Sequence, residues 1–454
     1  MSALEELGRF VAQIGTPAPD LRRRAELHII DSIGAWIAGA ATSEGRALLH
    51  YHSTMRAGGH SPVAVDLGTH CALARLSEID DIDLPSMTTP GGIIVPGALT
   101  LMAAAPGATG DDVIAAILAG YEVMARVGRA LDGPAILYRG IWPTYFTAPI
   151  GIAAVLSRLL KLDPPTTANA LALALTFAAP GVGHHNAPTT ARWLAVGNAA
   201  RNGLAAALAA QQGFTADVKL IEGSFFPGIY GVTPDIAALT GGLGEVSALN
   251  DVSFKPWCAA RQTMAATQAL KDIIASGITA NDITEVEASV LPPHVKMIDH
   301  GVVAGDRASH LTSLPYCMAV AAVAPELAFD VQQSPPDLPP AVRAFMGKIK
   351  VKADESLLAD YPRRWRARVR VVSGTGRREW LTTHVPGDPV APFDRARVQA
   401  KFLRFVGAAL GVEKAEELVK VCSEAVASGR FATVMSEIEA ARSHLSPQTE
   451  SSRL

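Results

Sequence analysis

Cysteine is scarce in this 454-residue sequence, and what there is stands apart: Cys71, Cys258, Cys317 and Cys422 form no CxxC pair. That spacing excludes a disulfide framework and a cysteine zinc site, and it fits reduced cytosolic thiols. A dominant charge is missing as well. Against 43 Asp+Glu stand 40 Lys+Arg, a formal net charge of −3 with no basic run. No field exists to draw in nucleic acid or an anionic membrane. Long hydrophobic runs are absent: Ala168–Val182 and Leu204–Ala210 are the most apolar stretches, and both fall short of the ~20 residues of a membrane span. Their alanine content suits helices packed closely in a soluble body. The opening MSALEELGRF is acidic where a secretory leader is basic, and no apolar segment follows. A soluble, cytoplasmic protein is expected. Four catalytic motifs are missing too: GxSxG, GxxxxGK[ST], HExxH and a strand-linked GxGxxG.

What is present is a globular composition, 49% apolar and 18% charged, in a chain long enough for more than one domain. The first half reads as helix. Leu27–Ala40 places Ile30, Ile33 and Ile37 on one face. Asp111 and Asp112 open a run that keeps a three/four apolar repeat to Leu131. Helical runs follow at Ala148–Leu162, Thr166–Ala179 and Thr189–Gln212, the last closed by Gly213. After about residue 250 alternation takes over, in Thr284–Leu291, Lys348–Ala353, Arg366–Val372 and Arg378–Val385. Gly374–Gly376 makes the last two a hairpin. Helices are expected at Trp257–Ser276 and His310–Ala324, with Phe329–Pro340 a connector. Helical periodicity returns from Asp394 to a frayed tail, SPQTESSRL. The expected fold is mainly α: an all-helical domain from both chain ends (1–254 and 393–454), with a smaller α+β domain (255–392) inserted.

The stretch with most chemistry is Ser77–Pro96, SEIDDIDLPSMTTPGGIIVP. Glu78, Asp80, Asp81 and Asp83 precede a loop rich in Pro, Thr and Gly, and then an apolar helix. Such acids can cap the helix, or supply a carboxylate base beside a loop that binds an anion. The pair His184–His185 lacks a carboxylate at metal-ligand spacing, so no metal site is expected there.

Collinear blocks now carry a resemblance. They are DSIGAWIAG, EIDDIDLPSMTTPGGIIVPGAL, GNAARNGLAAALAAQQGFTA with EGSFFPGIYG, and FKPWCAARQTMAATQAL with SLPYCMAVA, closed by VPGDPVAPFDRARVQAKF. Over roughly residues 5–440 the sequence resembles the MmgE/PrpD family of 2-methylcitrate dehydratases, cis-aconitate decarboxylases and iminodisuccinate epimerases. The resemblance implies a helical domain with an α+β lid, a homodimer, and no metal or organic cofactor. It maps the family's acidic motif onto Glu78, Asp80 and Asp81, for proton abstraction or for stabilising a protonated partner. Three customary histidines fall on Thr89, Trp142 and Ala195, and a fourth on Met264. The family's substrate lysine falls on Arg192, whose guanidinium can grip a carboxylate through two hydrogen bonds. Lys255, Arg261 and Tyr316 correspond to further substrate contacts. With the customary imidazoles gone, His184 and His185 are the candidate replacements, since histidine titrates near neutrality. His294 and His310 are weaker candidates, His28 a structural one, and Cys258 a small apolar filler.

The resemblance implies a cofactor-independent lyase of hydro-lyase type, acting on a small carboxylate by proton abstraction and β-elimination. An isomerase, epimerase or decarboxylase would use the same carbanion. A silent paralogue that binds a small acid is the reading of another class.

Overall fold

The structure, a computed structural model, describes residues 1–179, 189–332 and 337–445. His184, His185 and the tail beyond residue 445 lie outside the described residues. The protein is mainly α and divides into two compact units. Among the described residues, one holds 1–179, Thr190–Asn250 and 394–445, and the other holds Thr189 and Asp251–Phe393.

The first unit is built from helices whose starts are written in the sequence. Gly110–Ala130 opens with a capping box: the Asp112 N–H donates to the Thr109 hydroxyl and the Thr109 N–H to the Asp112 carboxylate. Pro19–Ala40, Pro62–Leu76 and Pro164–Thr176 each begin on a proline, which lacks only an N–H the first turn would leave unused. Pro143–Leu159 does the same, and so starts ahead of the expected Ala148, on TYFTA, a stretch without helical periodicity. Close approach needs glycine at Gly39, where a Cβ would lie 1.9 Å from the Leu73 carbonyl oxygen on Pro62–Leu76. The end of the chain returns here. Lys401, on the helix Arg395–Leu410, pairs with buried Asp31 of Pro19–Ala40 at 2.6 Å. A last helix, Phe431–Leu445, lies within the helical stretch expected from Asp394 onward.

The second unit carries a four-stranded sheet: β1 (Ile283–Val290), β2 (Ile349–Ala353), β3 (Ala367–Ser373) and β4 (Gly376–Thr382), in spatial order β2-β1-β3-β4. β2 runs parallel to β1, and the other two pairs are antiparallel, with β3–β4 the hairpin foreseen at Gly374–Gly376. Val286, Ala288 and Val290 face Val371, Val369 and Ala367 across the β1–β3 register. These residues are buried, and the helix Arg261–Ala275 packs on the sheet. That helix begins later than expected because the N–H groups of Cys258 and Ala260 are taken by the carbonyls of Ala328 and Leu311. The helix expected over His310–Ala324 is broken at Ser313, whose hydroxyl caps a new helix, Leu314–Val323, by accepting from the Tyr316 N–H. Among the described residues no helix is long and apolar enough to cross a membrane.

Candidate functional site

The helix Pro62–Leu76 ends directly on the acidic loop, and the loop is strained. Glu78 and Met87 have φ of 59° and 57°, in the left-handed region that disfavours side chains by about 1 kcal/mol each. Between them the four acids take separate roles. Asp81 is fully buried and both its oxygens are engaged: Oδ1 accepts from the Gly91 N–H at 2.7 Å, and Oδ2 from the Tyr121 hydroxyl at 2.7 Å. His28 Nδ1 stands 2.8 Å from the same Oδ2. Asp81 thereby anchors the first N–H of the buried helix Gly91–Leu101. Asp83 holds a two-pronged pair with Arg129, at 2.6 and 3.1 Å. Asp80 and Glu78 share Arg75, whose Nη1 lies 3.3 Å from Asp80 Oδ1 and 3.0 Å from Glu78 Oε1. Of these acids Glu78 alone keeps some solvent exposure, 14% of its side chain.

A second set converges in the same unit. Thr89 sits where the loop enters its helix, and its N–H donates to the Thr144 hydroxyl at 3.0 Å, with the two hydroxyls 3.2 Å apart. Thr144 lies in the first turn of Pro143–Leu159, so Thr89 is held against the start of that helix. Trp142 is the residue before it and stacks on Tyr145, with centroids 5.6 Å apart and planes 9° from parallel. The Arg192 guanidinium, on Ala191–Gln211, lies 5.2 Å from the Trp142 ring centre and 5.7 Å from that of Trp193. Trp142, Tyr145 and Arg192 are all buried.

The Tyr145 hydroxyl and Trp142 Nε1 have no hydrogen-bond partner among the described residues. Burial pushes the Tyr145 hydroxyl up to about 12, against the pull of the Arg75 and Arg192 charges, with Glu78 and Asp80 adding to the rise. Tyr145 is therefore a neutral donor flanked by two cations and two carboxylates. It and Arg75 were not singled out in the sequence. An aromatic inside an apolar helical run carries no signal that separates it from core. Arg75 did have one, a cation three and five residues ahead of two acids.

The second unit places its own candidates. Lys255 is buried. Arg261 donates from Nη2 to both oxygens of Asp388 at 2.8 Å and lies 5.6 Å from the centre of the Trp365 ring. Tyr316 packs edge-on to His310 at 4.9 Å, and neither its hydroxyl nor His310 Nε2 finds a partner among the described residues. His294 sits between Tyr361 and Trp365, and burial together with the Arg261 charge lowers it to about 3. Cys258 is buried, in a small pocket lined by Trp257, Cys317 and Phe329. Among the described residues no group of three or more His, Cys, Asp or Glu is arranged to hold a metal.

Comparison with known proteins agrees with the resemblance. The profile described as MmgE/PrpD N-terminal domain matches residues 5–234, and that described as MmgE/PrpD C-terminal domain matches residues 257–425. The chain is similar to a cis-aconitate decarboxylase of Aspergillus terreus, 32% identical over 170 residues, 36% of this chain and 34% of the relative. It is similar also to the Homo sapiens cis-aconitate decarboxylase, 27% identical over 252 residues, 51% of each chain. The Mus musculus protein of that name is 25% identical over 222 residues, 46% of this chain and 45% of the relative. The matched stretches thus span about a third to a half of these relatives.

Proposed function

This chain belongs to the MmgE/PrpD family, and we propose that it is a cofactor-independent lyase that removes carbon dioxide from a small carboxylic acid. The observation that carries the reading is the buried set formed by Arg192, Trp142 and Tyr145 beside the Arg75–Glu78–Asp80 charges. Loss of CO2 needs a cation for a carboxylate that stays, an apolar wall for the one that leaves, and an acid for the carbon left behind. Arg192 offers the first, as a planar fork suited to a carboxylate. The indole of Trp142 offers the second: a carboxylate against a dry face is destabilised relative to neutral CO2. Thr89 adds a hydroxyl, and Arg75 balances the charge that builds up as the bond breaks.

Loss of water is a second reading, and Glu78 favours it. This carboxylate, partly exposed in a strained loop, could remove the proton next to a substrate carboxylate while hydroxide leaves from the neighbouring carbon. Epimerisation would share that first step.

The test is a panel of small di- and tricarboxylic acids, saturated and unsaturated, followed by NMR for CO2, water loss or inversion. One of them is expected to turn over, and Arg192→Ala is expected to raise its KM by roughly 10- to 100-fold, the worth of a charged hydrogen bond. If no acid reacts but several raise the unfolding midpoint, the chain is a silent acid-binding paralogue and the lyase reading fails.

A further inference from the structure

Trp142 Nε1 and the Tyr145 hydroxyl are both buried, both donors and both without an acceptor among the described residues. They stack face to face, so the two orphans belong to one place. A buried donor left unpaired weakens a fold, and natural interiors rarely keep one without a use. Two side by side, beneath a guanidinium, mark a seat for an anion. The groups that face it come from every element around it: Arg75 from Pro62–Leu76, Glu78 and Asp80 from the acidic loop, and Arg192 from Ala191–Gln211.

Resting on the lyase reading above, we propose that Tyr145 is the proton donor of the reaction, in the place left by the absent imidazoles. The bond between the departing carboxyl carbon and its neighbour breaks, CO2 leaves, and the electron pair stays on the neighbouring carbon, spread into the remaining unsaturated carboxylate. The Tyr145 O–H passes its proton to that carbon and becomes a phenolate. Arg75 and Arg192 stabilise the phenolate until water returns a proton after product release. Net, one carboxylate and one proton become one C–H bond and CO2. Were hydroxide the leaving group, the same O–H would protonate it to water. The Trp142 N–H holds a carboxylate oxygen of the substrate and so fixes the carbon over the hydroxyl. The phenol is available as a donor because burial keeps it protonated across the physiological range.

The experiment compares wild type, Tyr145→Phe and a protein with fluorinated tyrosine at position 145 on the acid that wild type consumes. Tyr145→Phe is expected to lower kcat about 100-fold or more, the usual worth of a positioned acid, with KM within about 3-fold. Its unfolding midpoint is expected to rise, because the deleted hydroxyl was buried and unpaired. The fluorinated protein is expected to keep activity and to move the basic limb of its kcat profile to lower pH. A Tyr145→Phe rate within about 3-fold of wild type overturns the proposal and leaves the lyase reading standing. So does a lowered midpoint with lost activity, which would make the hydroxyl a structural bond. Wild type that consumes no acid overturns both.

Discussion

Asp81 and Glu78 stand three residues apart and are chemically unlike. Asp81 is spent: a backbone N–H, a phenol and an imidazole fill its two oxygens in a site closed to water. Asp81→Ala would strand these buried donors, and denaturant unfolding should show a loss of about 3–5 kcal/mol. Glu78 pairs with Arg75, which Asp80 also meets, and keeps some contact with solvent. Glu78→Gln keeps an acceptor for Arg75 and should cost less stability than Asp81→Ala, about 1–3 kcal/mol. Under the second, hydro-lyase reading it should also remove most turnover, and a stability melt run beside a rate assay separates the two acids. The acidic cluster was legible in the sequence as one motif with two possible uses. Which acid has which use was not, because the partners come from elsewhere in the chain: His28, Tyr121 and Gly91 for one, Arg75 for the other.

The elements that carry the site are two helix starts, and each depends on small or rigid residues. At Gly91 a Cβ would come within 2.5 Å of the Ser32 hydroxyl and 2.6 Å of Asp81 Oδ1. Gly91→Ala should therefore push the loop off its helix, at a cost of about 2–3 kcal/mol by denaturation and with loss of activity. The other start, Pro143, delivers Trp142, Thr144 and Tyr145 in one turn. Here sequence reasoning had least to work with. Apolar periodicity located most of the long helices, and alternation located all four strands of the second unit, although residues 376–381 are exposed on both faces. TYFTA shows no such repeat, so the helix was expected from Ala148 and Tyr145 passed unnoticed. The break at Ser313 was missed for a related reason: LTSLP is apolar enough to continue a helix, and only the serine cap and the proline after it reset the register. Trp142 and Arg192 were legible only through the resemblance, as replacements of customary residues.

At the scale of the molecule, each unit buries a histidine that resists protonation. Burial lowers His70 to about 3 in the first unit, and burial with the Arg261 charge does the same to His294 in the second. In the unfolded chain both return to about 6.5. Between those values the unfolded state binds more protons, so stability falls as pH drops from 6.5 toward 3, and above about pH 7 neither group contributes a slope. Each adds at most about 1.4 kcal/mol per pH unit. His294→Phe should remove one proton from that dependence, read as a shallower fall of unfolding free energy between pH 6 and 4.

The proposed chemistry is done by side chains of this chain, and one measurement meets it directly. Protein dialysed against chelator is incubated in D2O with a panel of small carboxylic acids, and the products are read by carbon and proton NMR. One acid is expected to lose CO2 and gain a single deuterium on the carbon that carried it, and Tyr145→Phe is expected no longer to do this. An intact panel, with some of its acids still raising the unfolding midpoint of the protein, would contradict it.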